Sequence, residues 1–172
     1  PNKIINEIKK NFKTKIAIRS SAISEDGNFF SNAGKYRSHL NVDVKDDFLL
    51  NTKLEDVTNS LKKNNKNLFF VQEMASNIIM SGVVLTYSLT SNIKSYNINY
   101  HLGKDTSNVT SGLGNNFNFY YIENNKYKVA DRKFQIIINK TKQLEKIFKT
   151  DKLDIEFAID NKKNFILLQV RK

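Results

Sequence analysis

The sequence predicts an α+β fold in which mostly antiparallel strands form sheets flanked by helices. Two observations indicate this class. Several short segments alternate apolar and polar residues, as strands of a half-buried sheet do, and Gly- or Asn-containing turns separate them. Three longer segments instead repeat apolar residues every three or four positions, which is typical of helices that pack on one side.

The first half of the chain is predicted to contain two helices and three strands. Apolar residues at helical spacing indicate helices over residues 3–13 and 46–63. A small, polar segment at 20–34 is predicted to be a loop. The apolar stripe of the second helix consists of Phe48, Leu49, Leu54, Val57 and Leu61. Short apolar or alternating runs predict strands at residues 15–19, 36–42 and 68–74.

The second half is predicted to consist mainly of strands, with one long helix. Residues 81–89 and 94–103 have the composition of strands, and Gly82 is expected to introduce the first of them. Residues 117–130 predict a hairpin. The clearest helical periodicity in the chain covers residues 132–149.

The composition excludes several classes of protein. With 172 residues, of which 40% are hydrophobic, the chain can bury the core of one domain and is not intrinsically disordered. It has no cysteine, which excludes disulfides and thiolate metal sites. No apolar run approaches the roughly 20 residues of a membrane-spanning helix, and the N-terminal residues lack the apolar region of a secretory signal. We therefore expect a soluble, cytoplasmic protein without a membrane partner.

The net charge of +11 admits two explanations. A basic protein often binds a polyanion such as nucleic acid. Here the lysines are spread along the whole chain, whereas specific nucleic-acid readers favour arginine and interleaved aromatic residues. The Lys-, Asn- and Ile-rich composition instead indicates an AT-rich genome, so a nucleic-acid-binding domain is kept only as a distant alternative. Arginine is scarce, which makes each one informative: Arg19, Arg37, Arg132 and Arg171.

The chain ends in a predicted hairpin with one polar and one apolar face. A turn centred on the Lys162–Lys163 bond fixes the register, whether the loop holds two or four residues. Glu156 is then opposite Gln169. Asp154 is opposite Arg171, and all four side chains point to the same face.

Two interpretations of this polar face remain open. The first is a cross-strand ion pair between Asp154 and Arg171 on a solvent-exposed sheet, which would contribute little stability. The second is a platform for Mg²⁺ and a polyphosphate. Glu156 and Gln169 would offer Mg²⁺ two hard oxygen ligands. Arg171 beside them could hold a phosphate oxygen bidentately.

Resemblance to a known family is carried by five segments, "AIRSSAISED", "FFSNAGKYRSHLNV", "FVQEM", "SGVVLT" and "DIEFAID…FILLQVR". In order and approximate spacing they resemble the ATP-binding domain of the phosphoenolpyruvate synthase and pyruvate phosphate dikinase family. The resemblance implies an ATP-grasp-like fold, in which two α+β lobes hold ATP. It also implies transfer of a phosphoryl group from ATP to a histidine on a separate domain. A third domain of such enzymes passes it to an acceptor such as pyruvate, a glucan, a rifamycin antibiotic or glutamine.

Five residues of the first half acquire roles from this resemblance. Arg19, in the "RSS" motif, would contact the ATP phosphates, and the loop that contains Gly34 would cradle phosphate with backbone N–H groups. Ser38 matches a Thr or Ser that touches the nucleotide in relatives. Gln72 falls on the segment that lines the adenine pocket, and Met74 would pack on the adenine ring or belong to the core.

The hairpin residues acquire roles in the same way. The resemblance implies that Glu156 and Gln169 are the Mg²⁺ ligands and that Arg171 clamps the β- and γ-phosphates. Asp154 would support the metal or orient Arg171. Together with Arg19, Arg171 would act in catalysis by offsetting charge that develops on the transferred phosphoryl group.

The resemblance also implies what the chain belongs to. We interpret residues 1–172 as one ATP-binding domain, incomplete at its N-terminus, with approximate sub-lobes 1–72 and 73–172. Relatives begin with a lysine-bearing, GGKG-like segment that this sequence does not contain. We therefore expect the chain to belong to a longer kinase or dikinase, with phosphohistidine and acceptor domains as partners, and expect the isolated chain to be inactive.

Two further questions stay open at the level of sequence. The missing lysine segment would also suit a catalytically inactive nucleotide-binding or regulatory module. The stretch after "SGVVLT" departs from dikinases of central metabolism, so glutamine or a sugar derivative stands beside pyruvate as a candidate small-molecule acceptor.

Overall fold

The structure of the protein is a computed structural model that describes residues 2–21, 26–27, 30–31, 37–61, 67–87, 94–103, 117–122 and 129–172. The chain forms two compact units, Pro1–Met74 and Ala75–Lys172. Each unit contains an antiparallel sheet and at least one helix, which confirms the predicted α+β class. The assignment of sub-lobes 1–72 and 73–172 to one ATP-binding domain stays a prediction.

The described residues of the first unit form two helices and five strands. In chain order these are α1 (Asn2–Asn11), β1 (Lys15–Ser21), β2 (Asp26–Gly27), β3 (Phe30–Ser31), β4 (Ser38–Asp43), α2 (Asp47–Leu61) and β5 (Leu68–Glu73). The main sheet has the order β4–β1–β5, and β2 pairs with β3 in a separate ribbon. The predicted loop at 20–34 is therefore wrong in part, because it contains this ribbon and the last two residues of β1.

The core of the first unit lies between its sheet and α2. Ile16 and Ile18 of β1 are fully buried there, together with Leu50 and Val57 of α2. Phe48, which the predicted stripe includes, is instead 84% exposed. Successive helical residues are about 100° apart, so a residue two positions before Leu50 points away from the buried face.

The described residues of the second unit form five strands and one long helix. These are β6 (Ile78–Leu85), β7 (Ser95–Leu102), β8 (Phe117–Ile122), α3 (Arg132–Phe148), β9 (Asp154–Asp160) and β10 (Phe165–Arg171). The strands form one antiparallel sheet in the order β10–β9–β6–β7–β8. The side chain of Asp131 caps the start of α3, and Lys149 in the left-handed conformation ends it.

The helix α3 covers one face of this sheet. Ile155, Phe157 and Ile159 of β9 are fully buried and belong to one cluster with Phe134 and Ile137 of α3. This alternation along β9 matches the predicted apolar face of the hairpin. Among the helices of the described residues, none combines the length and apolarity needed to span a lipid bilayer.

Two boundaries in the second unit differ from the prediction. The strand β6 covers Ile78–Leu85 rather than 81–89, so Gly82 lies inside the strand instead of introducing it. The aromatic ring of Phe157 occupies the space beside this glycine, which explains a glycine at an interior position. Of the predicted hairpin at 117–130, the first strand is β8, and most of the second lies outside the described residues.

The turn between β9 and β10 has a three-residue loop. The backbone N–H of Asp160 donates to the carbonyl oxygen of Asn164 at 3.2 Å, and Lys163 has a φ angle of 65°. A loop of this length, with its last residue left-handed, is one of the common hairpin connections. The prediction of a turn centred on the Lys162–Lys163 bond is therefore wrong, because the turn is centred on Lys162.

A β-bulge in β10 compensates for the odd length of the loop. Near the turn, Phe165 pairs with Ile159, which is one position away from the predicted register. The register then shifts between Leu167 and Gln169, so Leu168 is an extra residue on this strand. Beyond the bulge the pairing is the predicted one.

The carboxylate of Asp160 holds the turn in place. Its Oδ1 accepts hydrogen bonds from the backbone N–H of Lys162 at 2.9 Å and of Asn164 at 2.7 Å. Its Oδ2 accepts from the side-chain amide of Asn164 at 2.8 Å. These hydrogen bonds, that from the Asn164 backbone above all, lower the pKa of Asp160 below its ordinary value.

We expect the substitution Asp160→Ala to lower the melting temperature by a few degrees, because the turn loses three hydrogen bonds. A carboxyl with a lowered folded-state pKa stabilises the fold above its ordinary pKa and loses that effect as pH falls through the folded-state value. The difference in melting temperature between the two proteins should therefore be constant above about pH 5 and shrink below about pH 4. Thermal melts across this range test it, and an equal loss in the matched variant Asn161→Ala would contradict it.

Candidate functional site

The polar side chains of the hairpin lie together on one face of the second unit's sheet. Glu156 is opposite Gln169, as predicted. Asp154 is opposite Arg171, also as predicted. Directly opposed side chains have Cβ atoms about 4.5–5.5 Å apart. All four are partly buried, so this face is neither dry core nor fully exposed surface.

A hydrogen-bonded contact orients the guanidinium of Arg171. With its side-chain amide oxygen turned toward Arg171, Gln169 accepts hydrogen bonds from Nη2 at 3.0 Å and from Nε at 3.1 Å. The two residues are two positions apart on β10 and therefore share a face. This contact fixes the plane of the guanidinium and directs the donors of Nη1 away from Gln169.

Beyond the apolar Val83 and Leu85 of β6, this face again carries polar residues, which the sequence interpretation did not single out. On β7, Asn97 is paired with Leu85, which is itself paired with Asp154. Asn99 lies two positions further along β7 on the same face, and its side-chain amide donates to Oδ1 of Asn118 on β8 at 2.9 Å. Alternating asparagines in "NIN" of β7 are the signal that could have identified this extension.

Three of the predicted residues of the first unit share the face of its sheet that points away from α2. Arg19 of β1 is paired with Ser38 of β4. Ala17, two positions before Arg19, is paired with Gln72 of β5. Because Ile18 between them points into the core, Arg19 and Ala17 point to the other face, with their partners.

The guanidinium of Arg19 has a buried donor that the described residues do not satisfy. Its Nε is buried and makes no hydrogen bond to any residue in the described ranges. A buried donor of a charged group without a partner costs about 1–3 kcal/mol or more. This position therefore favours an anionic or strongly polar ligand.

The structure says less about the predicted roles of Met74 and Gly34. Met74 follows β5 directly, its backbone N–H donates to the carbonyl oxygen of Lys15 at 3.0 Å, and its side chain is partly buried. Gly34 lies outside the described residues. The predicted site residues are thus divided between the units: Arg19, Gly34, Ser38, Gln72 and Met74 in the first, and Asp154, Glu156, Gln169 and Arg171 in the second.

The start of β4 is attached to α2 by polar contacts centred on Asp56. Its Oδ2 accepts a hydrogen bond from Nε2 of His39 at 2.7 Å and lies 3.3 Å from Nη1 of Arg37. The hydrogen bond from His39 is the main reason that the pKa of Asp56 lies below its ordinary value. The backbone N–H of Arg37 also donates to Oγ of Ser60 at 3.4 Å.

The side-chain oxygens of the hairpin could hold a hard cation only if a bound ligand supplied further oxygen atoms. Within the described ranges, no three Asp, Glu, His or Cys side chains are grouped to hold a metal ion. The candidate ligands are the carboxylate of Glu156 and the amide of Gln169, with Asp154 beside them. This set fits Mg²⁺, which takes few protein oxygens and completes its shell with water and phosphate.

A comparison with known families identifies the chain. The family model described as "Pyruvate phosphate dikinase, AMP/ATP-binding domain" matches residues 2–121. The matched segment contains every predicted site residue of the first unit and ends before β9 and β10. The comparison with curated proteins finds no match. Because the family model covers more than half of the chain, the protein belongs to the pyruvate phosphate dikinase family and carries its AMP/ATP-binding domain.

Proposed function

We propose that this domain binds ATP with Mg²⁺ and transfers a phosphoryl group from ATP to a histidine on a separate domain of the same enzyme. That domain would pass the group to a small acceptor such as pyruvate, glutamine or another small molecule. Family membership supports the nucleotide as ligand. The observation that carries the site is the placement of Glu156, Gln169 and Arg171 on one sheet face.

Charge neutralisation is the main task of such a site, because phosphoryl transfer needs little covalent chemistry from the protein. Arg171 would supply it at the β- and γ-phosphates. The amide oxygen of Gln169 holds its guanidinium by two hydrogen bonds, so the orientation is set before the ligand binds. Preorganised donors of this kind stabilise developing charge without reorganisation during the reaction.

Glu156 and Gln169 would hold Mg²⁺, with Asp154 two positions away on the same face of β9. When bound, Mg²⁺ would neutralise phosphate charge. The amide oxygen of Gln169 would then give up one of its two hydrogen bonds from Arg171 and offer that lone pair to the cation. We infer that this shared oxygen couples the position of the cation to that of the guanidinium.

The resemblance assigns nucleotide contacts to residues of the first unit as well. Arg19 and Ser38 are cross-strand partners, and both offer N–H or O–H donors that suit phosphate oxygens. Gln72 lies on the same sheet face and would contribute to the adenine end. No side chain of this domain has to act as nucleophile, since the phosphoryl acceptor is a histidine supplied by another domain.

We expect the full-length protein to bind ATP in the presence of MgCl₂ and to bind it at least about tenfold more weakly when EDTA removes the cation, because Mg²⁺ offsets charge on both partners. Isothermal titration calorimetry measures both affinities. Incubation with ATP should also add one acid-labile phosphoryl group, detected by intact-protein mass spectrometry. Absence of ATP binding would contradict the proposal as a whole, whereas equal affinity with EDTA would contradict the role of the cation.

A further inference from the structure

The beginning of β4 is held against α2 by contacts with Asp56 and Ser60. Arg37 and His39 both reach Oδ2 of Asp56 on α2, at 3.3 Å and 2.7 Å. Ser38 stands between them in the chain and points to the opposite face of the sheet, where Arg19 is its partner. One carboxylate oxygen on the helix therefore holds both chain neighbours of a residue that faces the other way.

This arrangement fixes the backbone of Ser38 relative to α2. The side chain of His39 is only 19% exposed and that of Asp56 is 32% exposed, so their hydrogen bond is partly shielded from water. A third contact, from the backbone N–H of Arg37 to Ser60, attaches the same segment one helical turn further along α2. The segment cannot shift along the helix without breaking all of these contacts.

We propose that Asp56 is a positioning residue for nucleotide binding. It does not touch the ligand; it holds Ser38 opposite Arg19 so that both donors meet the same anionic group. This inference rests on the proposed function, because it takes Ser38 and Arg19 as contacts of the ATP phosphates. The lowered pKa of Asp56 agrees with a carboxylate that stays charged at neutral pH.

The neighbouring carboxylate on α2 provides a matched control. Glu55 accepts a hydrogen bond from the side-chain amide of Asn51 at 3.0 Å, within the helix itself. Glu55→Ala removes the same charge from the same helix as Asp56→Ala does. Asp56→Asn removes the charge of Asp56 but keeps an oxygen that can accept from His39 and Arg37.

The test measures ATP affinity of the full-length protein by calorimetry with MgCl₂, at a temperature well below unfolding. We expect Asp56→Ala to weaken binding about five- to tenfold, with Asp56→Asn and Glu55→Ala within about twofold of the wild type. A role in positioning Ser38 also predicts non-additivity. In a Ser38→Ala background, Asp56→Ala should cause no further loss, because the group that it positions is already absent.

Each alternative result has a distinct meaning. Wild-type protein that does not bind ATP would overturn the proposed function and this inference together. If the wild type binds and Asp56→Ala has no effect, or has the same effect with and without Ser38, only the positioning role is overturned. Should Asp56→Ala fail to fold, His39→Ala replaces it in the same cycle, since it removes the shorter of the two contacts to Asp56. Additive losses for His39→Ala would then refute the inference.

Discussion

Replacing Arg171 with alanine in the full-length protein should weaken ATP binding about a hundredfold, which corresponds to about 3 kcal/mol. The guanidinium is held by the amide of Gln169 on a face that also carries Glu156. Its removal would leave phosphate charge without its fixed counter-charge and the amide oxygen without its donor. Both effects weaken ATP binding.

Two variants separate charge from geometry at this position. Arg171→Lys keeps the positive charge but cannot donate to Gln169 and a phosphate with one rigid plane, so we expect about tenfold weaker binding. Arg132→Ala is the matched control, because Arg132 is an exposed arginine at the start of α3. It should bind ATP as the wild type does. Calorimetry with MgCl₂ measures all three.

The result that contradicts this assignment is equally specific. If Arg171→Ala and Arg132→Ala bind ATP alike, Arg171 is a structural residue and the phosphate clamp lies elsewhere.

Glu156→Gln gives an independent check on the cation. We expect it to bind ATP weakly and to lose most of the difference between MgCl₂ and EDTA, because an amide is a poorer ligand for Mg²⁺ than a carboxylate.

The largest effect on stability is expected for Gly82→Ala. A Cβ atom at this position would lie 2.5 Å from the carbonyl oxygen of Asn99 and 2.9 Å from two ring atoms of Phe157. The ring could shift, but the carbonyl belongs to the neighbouring strand β7 and can retreat only if the sheet opens. We therefore expect a loss of about 3 kcal/mol or more in the free energy of unfolding.

Chemical denaturation of the wild type and Gly82→Ala measures this loss. Ile79→Val, three positions earlier on β6, is the control, because Ile79 is partly exposed and loses only one methylene group. It should change stability by less than about 0.5 kcal/mol. Equal stability of Gly82→Ala and the wild type would show that β6 and β7 can separate at no cost, against the close packing seen here.

Much of the fold follows from local pattern, whereas the limits of elements depend on tertiary contacts. The periodicity of residues 132–149 predicts α3 almost to its ends, because one face of the helix packs on the sheet. The predicted start of β6 was wrong because a glycine, considered without its tertiary contacts, is typical of a strand boundary. Only the ring of Phe157, 75 positions later in the chain, explains why a glycine occupies the middle of that strand.

The pairing at the candidate site was predicted correctly for an incomplete reason. The turn was assigned the wrong centre, and the bulge at Leu168 was not foreseen. These two errors cancel, so Glu156 still meets Gln169. The contribution of Asp56 could not be read from the sequence at all, because helix periodicity does not reveal which strand a polar side chain will contact. Residue periodicity identifies the buried face of a helix or strand, whereas side-chain contacts between elements can be identified only from the structure.

The extra residue of β10 links turn length to side-chain orientation. With the three-residue loop alone, Gln169 would stand opposite Ile155 and point toward α3. A single insertion or deletion in the loop or at the bulge would therefore move every later side chain of β10 to the opposite face of the sheet. A change in both places would leave these side chains on their present faces. Across the family we expect such length changes to be inherited together: hairpins with odd loops keep the additional residue, and hairpins with even loops lack it.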